Sequence, residues 1–200
     1  MTAETLAALA VALGAGWASG LNTYAAVLVL GGAERLGLVS LPHDLQVLAS
    51  PWVMGVAAIL FALNFFADKI PYLDSINDML HTFVRVPAGA LLAYGAAGGL
   101  SPEVAVIAGL LGGTLAAGTH VAKTGSRALI NTSPEPFSNI AASLAEDVSV
   151  VGGLALAIAH PIVFLCLLAL FVSLLIWLLP KLLRLASTLF RRMARSRQKS

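Results

Sequence analysis

The chain reads as an all-α integral membrane protein, a helical bundle of about six transmembrane helices. Of its 200 residues, 58% are hydrophobic and 11% charged, with a mean hydropathy of +0.89; a soluble domain carries roughly 25% charged residues. Apolar stretches long enough to cross a bilayer follow one another along the sequence, and about 20 residues suffice for each crossing. Three of the helix starts share a Ser-Pro pair, Ser50-Pro51, Ser101-Pro102 and Ser133-Pro134. A serine N-cap satisfies one orphan N–H, and proline at the first helical position removes another.

These signals place the spans at approximately 4–33, 51–68, 75–100, 102–130, 137–160 and 161–183, within a single transmembrane domain over 1–180. The first begins MTAETLAALAVALGAGWASG, with Glu4 and no Lys or Arg. It reads as a span, because a signal peptide needs a positive n-region. The third is the weakest. Pro87 should kink it and its first three turns are polar, which leaves an interfacial helix or a re-entrant segment open. The lone cysteine, Cys166, sits in the apolar run IVFLCLLALF and has no partner for an intramolecular disulfide. Residues 181–200 form a basic amphipathic tail, a topology anchor against anionic lipid. The tail directly follows a span and lacks the aromatic interleaving of a nucleic-acid patch, so no nucleic-acid partner is expected.

Six spans with both termini on one side gather Lys69, Arg85, Lys123, Arg127, Lys181, Arg184, Arg191, Arg192, Arg195, Arg197 and Lys199, eleven basic residues, against Arg35 alone. By the positive-inside rule both termini are then cytoplasmic. A weak internal similarity adds to this arrangement. LGAGWASGLNTYA from Leu13 aligns with LGGTLAAGTHVAK from Leu111, matching Ala18 with Ala116 and Gly20 with Gly118. Three spans per half, 4–100 and 102–180, would make the repeats inverted, as in transporters with a midplane site built from broken helices. Chance similarity between apolar helices is the other explanation.

Charge is rare enough that its placement carries the functional argument. In FADKIPYLDSIND, Asp68 and Lys69 close the second span and Pro71 breaks the chain. Asp74, Asp78, His81 and Arg85 then fall within an arc of about 60° on a helix. The favoured reading is a solvated face on which Asp78 and Arg85 pair across two turns. The other is a cytoplasmic vestibule or cation site, with Asp74, Asp78 and His81 as candidate metal ligands. The fifth span places Glu146 and Asp147 roughly 13–15 Å into a helix from Phe137, near the bilayer centre. Asn139 and Ser143 share their face, and Ala141, Ala145, Ser149 and Gly153 form a small-residue stripe suited to an internal contact or a homo-oligomer. Two carboxyls at such depth must be paired, protonated or facing water. A substrate or ion site is the favoured reading, and an ion pair with Lys69, Lys123 or Arg127 that fixes helix register is the alternative. Asn22 with Thr23, and His120 with Lys123 and Arg127, supply the remaining intramembrane polarity. Gly20 and Gly118 precede them, where a helix could unwind.

The strings GLNTYAAVLVLGGAERLGLVSLP, FADKIPYLDSINDMLHTFVRVPAGALLAYGA and GTHVAKTGSRALINTSPEPFSNIAASLAEDV, with the basic tail, resemble an uncharacterised bacterial family of small multi-pass membrane proteins, domain of unknown function 4126. The resemblance covers nearly the whole chain. It implies an integral helical fold in the bacterial cytoplasmic (inner) membrane and carries over no catalytic residue, because the family has no established activity.

Three function classes follow. The first is a transporter or channel for a small ion or solute, with Asp68, Glu146, Asp147 and Asn22 as ligands and His120 or Lys123 as counter-charge. No cofactor is expected beyond a cation of unknown identity. The second is a membrane enzyme on lipid or isoprenoid substrates, because Asn64-x-x-x-Asp68 followed by Asp74 and Asp78 loosely resembles the Asp-rich magnesium motifs of intramembrane prenyltransferases. The third is a non-catalytic scaffold in the lipid bilayer. The transporter class is the reading adopted, with no catalytic residue assigned.

Overall fold

The computed structural model describes residues 2–70, 73–130 and 136–197, with backbone alone for 74, 75, 136, 179 and 182–197. The described residues hold seven helices and no strand. These are α1 (Ala3–Arg35), a short 3-10 helix (His43–Ala49), α2 (Pro51–Ala67), α3 (Leu73–Ala96), α4 (Pro102–Ile130), α5 (Pro136–Ala159) and α6 (Pro161–Arg197). Two Ser-Pro starts work as expected. The Val53 N–H donates to Ser50 Oγ at 3.3 Å, and the Val104 N–H donates to Ser101 Oγ at 3.4 Å. The third, Ser133-Pro134, lies outside the described residues.

Many large apolar side chains sit on the outside, with Trp52 86%, Phe83 82% and Phe137 78% exposed, while the interior is rich in alanine and polar groups beside a few leucines and valines. Water would penalise that arrangement. Lipid does not, because it is as apolar as leucine, and helices in it associate by close packing of small residues. By length and composition four helices can cross a membrane: α1, α4, α5 from Phe137, and α6 as far as Leu178. A fifth crossing is made if His43–Ala49 and α2, bent by 63°, count as one. The expected sixth, α3, is long enough at 24 residues, but the polar first half that holds Asp78, His81 and Arg85 lowers its hydropathy.

Glycine sets the packing of the centre. A Cβ at Gly16 would stand 2.5 Å from Gly112 Cα, and one at Gly20 would stand 2.5 Å from the Ala116 carbonyl oxygen. The contacts 16 with 112 and 20 with 116 advance together, so α1 and α4 run parallel. Inverted halves would require these two helices to run antiparallel, so the expected inverted repeat is not the relation between them. The similarity of the two stretches has a simpler cause: each is a small-residue face, and the two faces pack on one another. Against α1, helices α3 and α5 are antiparallel. Ser19 Oγ donates to the Arg85 carbonyl at 2.8 Å, Gly14 lies beside Ala157, and Gly153 lies against Trp17. Gly153 is therefore spent on an internal contact, while Ala141, Ala145 and Ser149 of the same stripe are exposed.

The first helix is not one straight span. Asn22 has extended backbone angles, φ −154° and ψ 99°, inside α1. Thr2, Thr5 and Ala8, before the break, line one cavity of about 420 Å³ together with Leu38, Leu41 and Pro42, after it. The half-helix beyond Asn22 thus carries the chain back toward the end from which α1 set out. The expectation of a single crossing over 4–33 is corrected accordingly.

Contacts divide the chain into two compact units, 1–165 and 166–200. In the second, α6 continues through Pro180 to Arg197, and the Lys181 ammonium lies 3.0 Å from the centre of the Trp177 ring.

Candidate functional site

The break in α1, the end of α2 and three polar helix faces converge on one buried cluster. At the break in α1, Asn22 caps the second half-helix: its Oδ1 accepts the Ala25 N–H at 3.1 Å, the geometry of an asparagine N-cap. The Leu21 carbonyl, left at the end of the first half-helix, accepts from Lys123 Nζ at 3.3 Å. The cap amide reaches across to α5, Asn22 Nδ2 donating to Asp147 Oδ1 at 3.0 Å. A cation at the carboxyl end of one half-helix and a carboxylate near the amino end of the next complement both helix dipoles.

Lys123 is the hub. Its ammonium lies 2.8 Å from Asp68 Oδ2, 3.0 Å from Glu146 Oε2 and 3.4 Å from Asp78 Oδ1. One turn further along α4, Arg127 holds Glu146 with Nε at 3.0 Å and Nη2 at 2.9 Å. It also donates through Nη1 to the Asp68 carbonyl at 3.2 Å and to Asn139 Oδ1 at 3.1 Å. Asp68 caps the end of α2. Its carboxylate further accepts from Asn64 Nδ2 at 3.2 Å and Asn77 Nδ2 at 3.0 Å.

On α3, Arg85 Nη1 meets Asp78 Oδ1 at 2.9 Å, with both residues 1% exposed. The pairing expected from sequence is present, but the face is buried against α1 and α4 and is not solvated. Arg85 Nη1 also meets His120 Nδ1 at 3.0 Å. Arginine can only donate, so Nδ1 accepts and His120 is neutral, with its Nε2–H donated to Thr82 Oγ1 at 2.6 Å. His81 Nδ1 lies 2.7 Å from the Asn77 carbonyl and so donates there, and its Nε2 lies 3.2 Å from the Tyr24 hydroxyl.

Six charges therefore close among themselves, Asp68, Asp78 and Glu146 against Arg85, Lys123 and Arg127. Two carboxylates remain incompletely satisfied. Neither oxygen of Asp78 has an aligned hydrogen bond, its contacts with Arg85 and Lys123 being ionic, and Asp147 Oδ2 has no hydrogen-bond partner. Lys69, at the edge, donates to the Phe65 carbonyl at 3.1 Å and to Ser143 Oγ at 3.4 Å.

The structure thus joins Asn22, Asp68, His120, Lys123, Glu146 and Asp147, every substrate or ion candidate read from sequence, in one network, and Asp78 with them. His81 faces Tyr24, and the side chain of Asp74 lies outside the described residues. Among the described residues no three His, Cys, Asp or Glu side chains converge as a metal site. Arg85, Lys123 and Arg127, counted as orientation signals, are buried and paired inside the bundle, so they do not report on topology. Sequence reading named Asn64 only in the prenyltransferase-like motif, and missed Asn77 and Thr82 as members. The signal was present in part, since Asn64 lies one turn before Asp68 and Asn77 one residue before Asp78.

Residues 9–181 match the family model described as domain of unknown function, DUF4126. The chain belongs to the DUF4126 family. No curated protein and no solved structure matches it. The DUF4126 match contains the whole cluster, from Asn22 to Asp147, and stops at Lys181, where the basic tail begins. This DUF4126 chain is a membrane protein with transmembrane helices, and among the described residues its charged interior lies within the matched region.

Proposed function

We propose that the protein is a transporter or channel for a small ion or solute, with its site at the break in α1. The observation that carries this reading is the hydrogen bond from Asn22, at a broken helix, to Asp147, a carboxylate whose second oxygen has no partner. Discontinuous helices with polar tips are how transporters offer ligands inside a bilayer, and an ionisable group at that depth is costly unless it is used. In this reading Asp147 binds the ligand and Asn22 orients it. Lys123, Asp68 and Glu146 form the charged wall behind them.

The test is the melting temperature of the detergent-purified protein against a panel of cations, anions and small solutes. A ligand at a hundred times its dissociation constant stabilises the folded state by about 2.7 kcal/mol. A selective shift that Asp147→Asn abolishes is the expected result, and a flat response across the panel counts against the reading.

A second reading is favoured by a specific observation, the closure of the six charges in equal numbers. Such a network can serve only to fix helix register in a scaffold. It predicts that Asp147→Asn and Glu146→Gln change stability alone.

We place the protein in a bacterial inner membrane with its basic tail cytoplasmic, on the strength of seven basic residues after residue 180. The expectation of two cytoplasmic termini counted α1 as one crossing and took Arg85, Lys123 and Arg127, which are buried, as orientation signals.

A further inference from the structure

We infer that the ion taken by the site at the α1 break is a proton, held on Asp147 Oδ2, and this rests on the transport reading above. The count of free oxygens decides it. A hard metal cation needs six or more oxygen ligands for calcium and near-octahedral oxygen for magnesium; potassium filters use rings of carbonyls. Around Asp147 those oxygens are already spent. The Leu21 carbonyl accepts from Lys123, and Asn22 Oδ1 accepts from the Ala25 N–H. Asp68 Oδ1 accepts from Asn77 and Oδ2 from Asn64 and Lys123. Both oxygens of Glu146 take Arg127. Asp147 Oδ2 is left. One oxygen cannot build a metal shell, but it can carry one proton.

An anion fits less well. Arg85, Lys123 and Arg127 are each matched to a carboxylate, and Lys69 donates to Phe65 and Ser143.

The charged groups that bear on Asp147 come from each neighbouring element. They are Lys69 and Asp68 from the end of α2, Lys123 from α4 and, on its own helix, the paired Glu146; α1 contributes the neutral Asn22. When Oδ2 takes a proton from water the carboxylate becomes a carboxyl, and the charge of the site rises by one. The six paired charges stay balanced, and Lys69 is left as the uncompensated cation. Loss of the proton restores a carboxylate opposite Lys69. Asp147 can therefore alternate between two charge states without breaking any ion pair of the network, which the other three buried carboxylates cannot do.

Infrared spectroscopy of the purified full-length protein tests this at pH 7, where exposed carboxylates are ionised. The expected result is a protonated-carboxyl C=O band in the wild type that Asp147→Asn removes and Asp78→Asn retains. Asp147→Glu should keep the band at a shifted frequency, a readout that poor folding of the Asn variant cannot imitate. A wild-type spectrum without the band, or a band that survives Asp147→Asn or disappears instead in Asp78→Asn, overturns the inference. Sodium, potassium, magnesium and calcium are added separately in a melting assay. A shift with one of these, lost in Asp147→Asn and without the infrared band, overturns the proton and leaves the transport reading standing. Absence of both the band and any shift overturns both.

Discussion

Arg127 grips Glu146 with two nitrogens, Nε at 3.0 Å and Nη2 at 2.9 Å, and the same carboxylate is held by Lys123 at 3.0 Å. The neighbouring Asp147 has one hydrogen bond, to Asn22. Adjacent in sequence, the two acids have different tasks.

Glu146→Gln should be strongly destabilising. It leaves Arg127 and Lys123 short of a counter-charge inside the bundle, and breaking a buried pair costs about 3–5 kcal/mol. The check is the melting temperature and the yield of monodisperse protein in detergent. A variant that melts with the wild type would show that the pairing contributes little to the fold.

Asp147→Asn should leave the fold within about 1 kcal/mol of the wild type, because the amide oxygen can still accept from Asn22 and no ion pair is broken. Ligand-dependent stabilisation is what should disappear. Parallel melts with and without the best ligand of the panel separate the two effects.

Asn22→Ala should cost about 1 kcal/mol through loss of the cap on Ala25, and it also removes the bond to Asp147. Hydrogen exchange at the amides of residues 23–26 should quicken while that of Gly112–Ala116 stays slow. Uniform exchange across both stretches would argue against a local cap.

Gly16→Ala should destabilise by about 1–3 kcal/mol, since its Cβ would meet backbone atoms of Gly112 and not the end of a flexible side chain. Gly32→Ala is the internal control, because nothing lies within 4 Å of the added atom. Equal melting of the two variants would remove the close α1–α4 approach as a source of stability.

Much of this was legible in the amino acids. Composition gave the membrane, and Ser50-Pro51 and Ser101-Pro102 gave helix starts that the structure reproduces to the residue. The depth of Glu146 and Asp147, and the isolation of Asn22, His120 and Lys123 in apolar surroundings, picked out members of the cluster, because charge in lipid is too costly to be casual. Direction was not legible. Nothing in GLNTY distinguishes a helix that continues through Asn22 from one that turns back, since the outcome depends on Asp147 and Lys123, over a hundred residues away. The faces of α3 misled for the same reason. Asp78 and Arg85 look like a wet surface until α4 supplies Lys123 and His120 to cover them. The repeat misled differently, because small-residue spacing marks surfaces that pack and says nothing about a helix's direction.

The placement of the basic partners on α4 has a consequence for how the chain is made. Lys123 and Arg127 emerge during synthesis after Asp68 and Asp78 but before Glu146. A lone lysine or arginine at a helix centre costs about 2.5–3.5 kcal/mol on insertion; Lys123 and Arg127 lie in the last two turns of α4, so they burden its carboxyl end and not its apolar first half. Asp68 and Asp78 must already be waiting near the translocation channel to receive that end, which stays only partly neutralised until α5 delivers Glu146. Biogenesis of this protein is thus ordered by charge.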